Sequence, residues 1–211
     1  MSTPFKLKWN FDVSTFRLLG RELITDRITA LFELVKNCYD ANANITTLFF
    51  NDTDSLTNNS FITIQDDGIG MSLNDIRYKW MVVGTNSKRK EKTSPAPYNR
   101  TVVGEKGVGR FAVEKLGSKV TIETTQEGTS RKIILELDWT SYETLSNTQN
   151  NYAGRKSTYF TDVENNCWMS PCSREEHGTT IKIFFNRVDQ LWSENDIDRA
   201  YSELSKLVSP I

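Results

Sequence analysis

Histidine is almost absent from this chain: its 211 residues contain one, His177, so histidine-dependent catalysis has a single candidate, in a polar loop. Cysteine is scarce too, and three is an odd number with poor disulfide logic. Cys38 lies within a helical pattern and reads as a small core residue. Cys167 and Cys172 are spaced C-x-x-x-x-C near His177, but a zinc site usually has C-x-x-C and a fourth ligand. No fourth ligand is apparent, so no metal is expected there. The formal net charge is only -1, which leaves no global field to draw the chain to nucleic acid or membrane. No apolar run approaches the ~18 residues of a spanning helix, and the start, MSTPFKLKWNFD, lacks a secretory apolar region. A soluble cytoplasmic protein is the expectation.

What is present suffices for a real core: 37% of the chain is hydrophobic and 11% of it is aromatic. Residues 12–23 are loosely helical. A longer helix is expected from a cap at Thr25 or Asp26 to about Ala41. NITTLFF (residues 44–50) and FITIQ (61–65) read as strands, and a short helix is expected after Ser72, with Asp75 three residues on. Residues 84–101 carry two prolines and five basic residues against one acid, and read as mobile. KVTIETT, RKIILELDW and TTIKIFF read as later, antiparallel strands. Residues 140–178 form a polar stretch without clear periodicity. A last helix, capped by Ser193, aligns Ile197, Ala200, Leu204 and Leu207.

Three stretches carry chemistry. On the long helix, at 100° per residue, Ile28, Leu31, Phe32, Val35, Cys38 and Tyr39 share one side. Glu33, Asn37 and Asp40 lie within about 60° of one another opposite them. That ridge is either a solvated face or a set of oxygens able to hold Mg²⁺ and orient a water. Lys36, beside it, either pairs at the surface, the favoured reading, or approaches phosphate. QDDGIGM (65–71) is either a turn or a buried carboxylate followed by glycines that let a flat ligand approach the backbone. VVGEKGVGRFA (102–112) is a glycine loop of the kind that holds an anion. It lacks G-x-x-x-x-G-K-[ST]. It fits both G-x-G-x-x-A, at Gly107, Gly109 and Ala112, and G-x-x-G-x-G, at Gly104, Gly107 and Gly109.

Taken in order, E-L-x-x-N-x-x-D-A (Glu33 to Ala41), D-x-G-I-G-M (Asp66 to Met71), the glycine loop and GTTIKI (Gly178 to Ile183) resemble the GHKL ATPase superfamily of gyrase, the ninety-kilodalton heat-shock chaperone, histidine kinases and MutL. The resemblance spans residues 17–185. It implies an α+β fold, the two-layer α/β sandwich called the Bergerat fold, with a mixed, mostly antiparallel sheet against helices. ATP and Mg²⁺ are the implied ligands, under a lid at residues 84–110.

By resemblance, Glu33 is the general base and Asn37 the Mg²⁺ ligand. Asp66 takes the adenine amino group and Thr179 completes the network there. Asp67, one residue on, is then the variable position. Asp40, Ala41, Gly68, Gly70 and Met71 line the nucleotide, and Gly104, Lys106, Gly107, Val108, Gly109, Arg110 and Phe111 close over phosphate. G-x-x-S-K at residues 84–88 is similar to MORC-type and heat-shock-chaperone-like bacterial members, so Ser87 and Lys88 either reach phosphate from the lid or belong to a basic exposed loop.

The whole chain then reads as one domain, the N-terminal part of a longer protein, with an insertion at 140–178. It would be a slow ATPase in isolation and an ATP-gated homodimerisation or conformational switch. An ATP-binding module that signals without hydrolysis is the alternative. A dinucleotide-binding domain, with Glu123 on a ribose hydroxyl, is the remote one. The charge argues against the domain gripping DNA alone, although the basic segment could touch it.

Overall fold

The computed structural model describes residues 11–22, 24, 26–83, 93–96, 98–102, 111–149 and 159–207. Six strands form one sheet: β1 (Thr46–Asn51), β2 (Phe61–Asp66), β3 (Lys119–Thr125), β4 (Arg131–Asp138), β5 (Cys167–Pro171) and β6 (Gly178–Phe184). The order across the sheet is β1-β2-β6-β3-β4-β5, and every described pairing is antiparallel. The α+β architecture thus stands, but among the described residues the sheet is antiparallel throughout rather than mixed.

Because strand side chains alternate, the register stacks residues into rows on the helix-facing side. Ile62, Ile183, Val120 and Leu137 make one row, and Ile64, Ile181, Ile122 and Leu135 the next. All eight are buried. Full burial of one such side chain is worth about 1.5–3 kcal/mol, so these two rows anchor the sheet to its helices. The third row turns polar: Asp66, Thr179 and Thr124 stand side by side on β2, β6 and β3, and all three are buried.

The helices of five or more residues with α geometry among the described residues are α1 (Arg27–Asp40), α2 (Ala112–Leu116), α3 (Trp139–Gln149) and α4 (Glu194–Ser205). Helix α1 starts where an aspartate can cap it. The Asp26 carboxylate accepts from the backbone N–H groups of Ile28 (2.9 Å) and Thr29 (3.0 Å). It packs against α2, α4 and β2. Its buried stripe is Ala30, Leu31, Leu34 and Cys38, which shares only Leu31 and Cys38 with the expected apolar side. Ile28, Phe32 and Val35 are half-buried and Tyr39 is exposed. The apolar arc of this helix is wider than the strip the sheet can cover, and small Ala30 lets Leu34 face inward. The cap of α4 by Ser193 and the capping box of Ser72 and Asp75 are as expected. Ala200 of α4 is buried, Ile197 packs on the core and Leu207 is exposed.

The polar stretch 140–178 holds more structure than its sequence suggested. Trp139 and Tyr142, both buried, tie α3 to Phe16 and Phe160 in one aromatic cluster. The Asp138 carboxylate accepts from the Thr140 backbone N–H at 3.0 Å and caps the helix. Polar residues between the aromatics hide this helical spacing from a count of hydrophobicity. Within the stretch read as loosely helical, a short helix, Thr15–Arg17, runs into a wider turn, Leu18–Glu22.

Candidate functional site

The C-terminal end of α1, the loop leaving β2 and the start of β6 meet at one point. Asp66 ends β2 with its side chain in the polar row, and its Oδ1 accepts from the Gly68 backbone N–H at 2.9 Å. Burial pushes its carboxyl above the usual range, against the opposing hydrogen bonds from the Gly68 backbone, the Cys38 thiol and the Thr179 backbone. Such a carboxylate, pressed into an apolar setting, gains from any further donor that reaches it. Cys38, behind it, is a core residue as expected, its thiol pushed far up by burial and by Asp66.

Asp67 does different work. Its Oδ1 accepts from the backbone N–H groups of Asn44 (2.7 Å) and Ile45 (2.8 Å). Burial opposes ionisation there, but the Ile45 and Asn44 backbone bonds outweigh it and hold the carboxyl below its usual range. Of the two adjacent acids, one is thus spent on fastening the loop and the other faces the site.

The loop is strapped down on both sides. A Cβ on Gly68 would lie 2.5 Å from the Ala41 carbonyl oxygen, while Ile69 N–H donates to that same carbonyl at 2.9 Å. Gly70 has φ +63°, and a Cβ there would fall 1.9 Å from the Thr125 carbonyl oxygen. The Met71 N–H donates to Thr124 Oγ1 at 2.9 Å, and Thr124 Oγ1 lies 2.9 Å from Thr179 Oγ1. His177 Nδ1 sits 2.8 Å from the Gly68 carbonyl oxygen. Thr124 and His177 were not picked out as site residues. Strand alternation offered a signal for Thr124, two residues after Ile122, but only the β3–β6 register shows that it faces Thr179.

Further back on α1, Glu33, Asn37 and Asp40 are half-buried along one ridge, beside the buried stripe. Glu33 Oε1 is 2.9 Å from Lys36 Nζ, so Lys36 makes the surface pair favoured above. Residues 93–96 and 98–101, read as mobile from their composition, are instead docked on the end of α1. Ser94 is buried and Arg100 N–H donates to its hydroxyl at 2.9 Å. The Asn42 carboxamide donates to the Pro95 carbonyl at 2.8 Å, and the Arg100 guanidinium to the Ala43 carbonyl at 2.6 Å. A helix end leaves carbonyls without partners, and Arg100 supplies one. Composition cannot show such a need.

Phe111 is in the core, against Trp139 and Phe160. Ser87, Lys88, Gly104, Lys106, Gly107, Val108, Gly109 and Arg110 lie outside the described residues, as does most of the expected lid. The dinucleotide reading fails on the sheet. A strand feeding the glycine loop should lie in a parallel sheet, yet Thr101 bridges only Thr93 among the described residues, and every described pairing in the sheet is antiparallel. Glu123 points away from the helices and pairs with Lys132 at 3.6 Å.

Comparison with known proteins agrees with this geometry. A family described as "Histidine kinase-, DNA gyrase B-, and HSP90-like ATPase" matches residues 25–179. The chain is similar to the chaperone protein HtpG of Wolinella succinogenes, 23% identical over 207 residues, which cover 88% of this chain and 29% of that protein. It is also similar to "Putative type II restriction enzyme HgiDII" of Herpetosiphon aurantiacus, 25% identical over 126 residues, 60% of this chain and 19% of that protein. The chain therefore spans less than a third of either relative.

Proposed function

The chain belongs to the histidine kinase-, DNA gyrase B- and HSP90-like ATPase family, and on that premise we propose that it binds ATP at the Asp66 loop and hydrolyses it with Glu33 as general base. The observation that carries the binding half is the polar row. Asp66 is a buried carboxylate with its neighbours Thr179 and Thr124 in register, a fitting acceptor for an adenine amino group. Glycines 68 and 70 keep the adjoining backbone bare of side chains, and Ala41 and Met71 border the same place.

Hydrolysis of a phosphoanhydride is mostly positioning and electrostatics. Glu33 stands two turns of helix before Ala41, where its carboxylate would orient a water for in-line attack and take its proton. Among the described residues no three His, Cys, Asp or Glu side chains converge as a metal cage. The Asn37 carboxamide, with phosphate and water supplying the other oxygens, fits Mg²⁺, which keeps most of its shell from such ligands. Bound there, the ion would neutralise phosphate charge. Asp40 would line the nucleotide, and Ser87, Lys88 and the loop 104–110 would meet its phosphates.

The alternative is a module that binds ATP and signals by a change of conformation or by dimerising, without turnover. Replacing Glu33 separates the two. Glu33→Ala is expected to keep ATP affinity within about twofold and to lose on the order of 10²-fold or more in kcat. Equal turnover in variant and parent removes Glu33 from the role of base. Sedimentation with and without a non-hydrolysable ATP analogue tests the switch, a shift toward dimer being the expected result.

A further inference from the structure

We propose that Lys36 is a positioning residue for hydrolysis: it fixes the Glu33 carboxylate by one oxygen and leaves the other to hold the attacking water. The inference rests on the reading of Glu33 as base. It starts from the 2.9 Å contact between Lys36 Nζ and Glu33 Oε1, one turn apart on α1. Both side chains are about two-thirds covered, at 27% and 33% exposure, so neither swings freely in solvent. The Lys36 ammonium also lies 5.9 Å from the centroid of the Phe32 ring. Lys36 is thus held from one side by an aromatic face and from the other by the carboxylate.

A lysine–glutamate pair this accessible adds little to stability, so stability alone gives no reason for it to stand beside the base. Geometry gives one. The terminal torsion of glutamate is broad, and a base left to turn about it would aim its lone pairs over a wide arc. A catalytic group has to be held within about 0.5 Å of its productive place. Pinning Oε1 to a fixed ammonium sets the plane of the carboxylate and so the direction of Oε2. An ion-paired carboxylate is the weaker base, and for many reactions that loss would outweigh the gain. Phosphoryl transfer passes through a loose transition state that asks for orientation more than for early proton removal. Here the gain in geometry is the larger effect.

The test uses steady-state turnover and separately measured Mg-ATP affinity in the full protein. Lys36→Met keeps the stem beside Phe32 and removes the charge. It is expected to lower kcat about tenfold with ATP affinity and unfolding temperature unchanged, and Lys36→Arg should recover most of the loss. In a Glu33→Gln background, Lys36→Met should lower kcat no further. Unchanged kcat in Lys36→Met overturns the proposal while leaving Glu33 as base. Weaker ATP binding at unchanged kcat also overturns it, because Lys36 then touches phosphate instead. An equal loss on the Glu33→Gln background overturns it as well, since the two residues then act independently. If Glu33→Gln itself turns over like the parent, the base reading fails first, and the proposal with it.

Discussion

The two ends of the site are built in opposite ways. At the Asp66 end, the proposed adenine acceptor is sunk into the sheet: three polar side chains occupy one row behind two rows of isoleucine, valine and leucine. The loop beside it is fixed by contacts that leave no room for a methyl group. At the Glu33 end, the proposed base and metal ligand stand on one helical ridge of half-exposed side chains, and the Glu33–Lys36 ion pair there is local. An adenine-sized ligand needs a preformed slot, because shape and a single buried acceptor select it. A phosphate chain brings its own charge and metal, so the protein needs only to aim a few groups at it. The first end should be brittle to mutation in its fold, and the second sensitive only in its rate.

The largest effect should come from the strap at Gly70. Gly70→Ala puts a Cβ against the Thr125 carbonyl in a backbone conformation that disfavours side chains. The expected cost is about 3 kcal/mol or more, which at roughly 2–4 °C per kcal/mol lowers the melting temperature by about 6–12 °C. A normal melting curve would show that the Asp66 end is less tightly built than its contacts indicate.

Asp66→Asn sharpens the comparison differently. ATP binding should weaken by about 1.5–3 kcal/mol, the worth of a hydrogen bond to a charged group, as read by titration calorimetry. The free protein should at the same time melt higher at neutral pH. The folded-state pKa of Asp66 is raised by burial, so between the unfolded and the folded value the folded chain binds a proton that the unfolded chain has already released. Stability therefore falls as pH rises from about the unfolded value through the folded one, and the asparagine variant lacks this fall. ATP, which favours the ionised form, should relieve it. A variant that binds ATP normally shifts the acceptor to another group.

The smallest of the three is Thr124→Val. It keeps the shape but removes the hydroxyl shared by the Met71 N–H and Thr179, at an expected cost of about 1–2 kcal/mol in stability. Turnover per bound ATP should not change. A lower kcat at saturating ATP would mean that the two ends are coupled more closely than the geometry suggests.

Much of this was legible in the chain. The spacing of Glu33, Asn37 and Asp40 placed them on one ridge, because 3.6-residue periodicity is a property of the helix alone. Asp66 and Thr179 could be proposed for one site from the order of their motifs. Three things were hidden. The stripe that α1 buries depended on how much of a wide apolar arc its neighbours would cover. The helix after Asp138 depended on Phe16 and Phe160, far away in sequence. The docking of residues 93–96 and 98–101 depended on carbonyls in the turn that follows α1, which attract Arg100 however polar its surroundings look.

The sequence by itself determined the elements with clear periodicity, the caps at Ser72 and Ser193, the ordered motifs and hence the family, since each of these needs only residues a few positions apart. Only the tertiary structure decided what the second of the two adjacent aspartates does. Asp67 is taken by the backbone of Asn44 and Ile45, more than twenty residues earlier. That choice rests on where β1 begins relative to the end of β2, and a strand register is fixed by packing across the sheet rather than by neighbours along the chain.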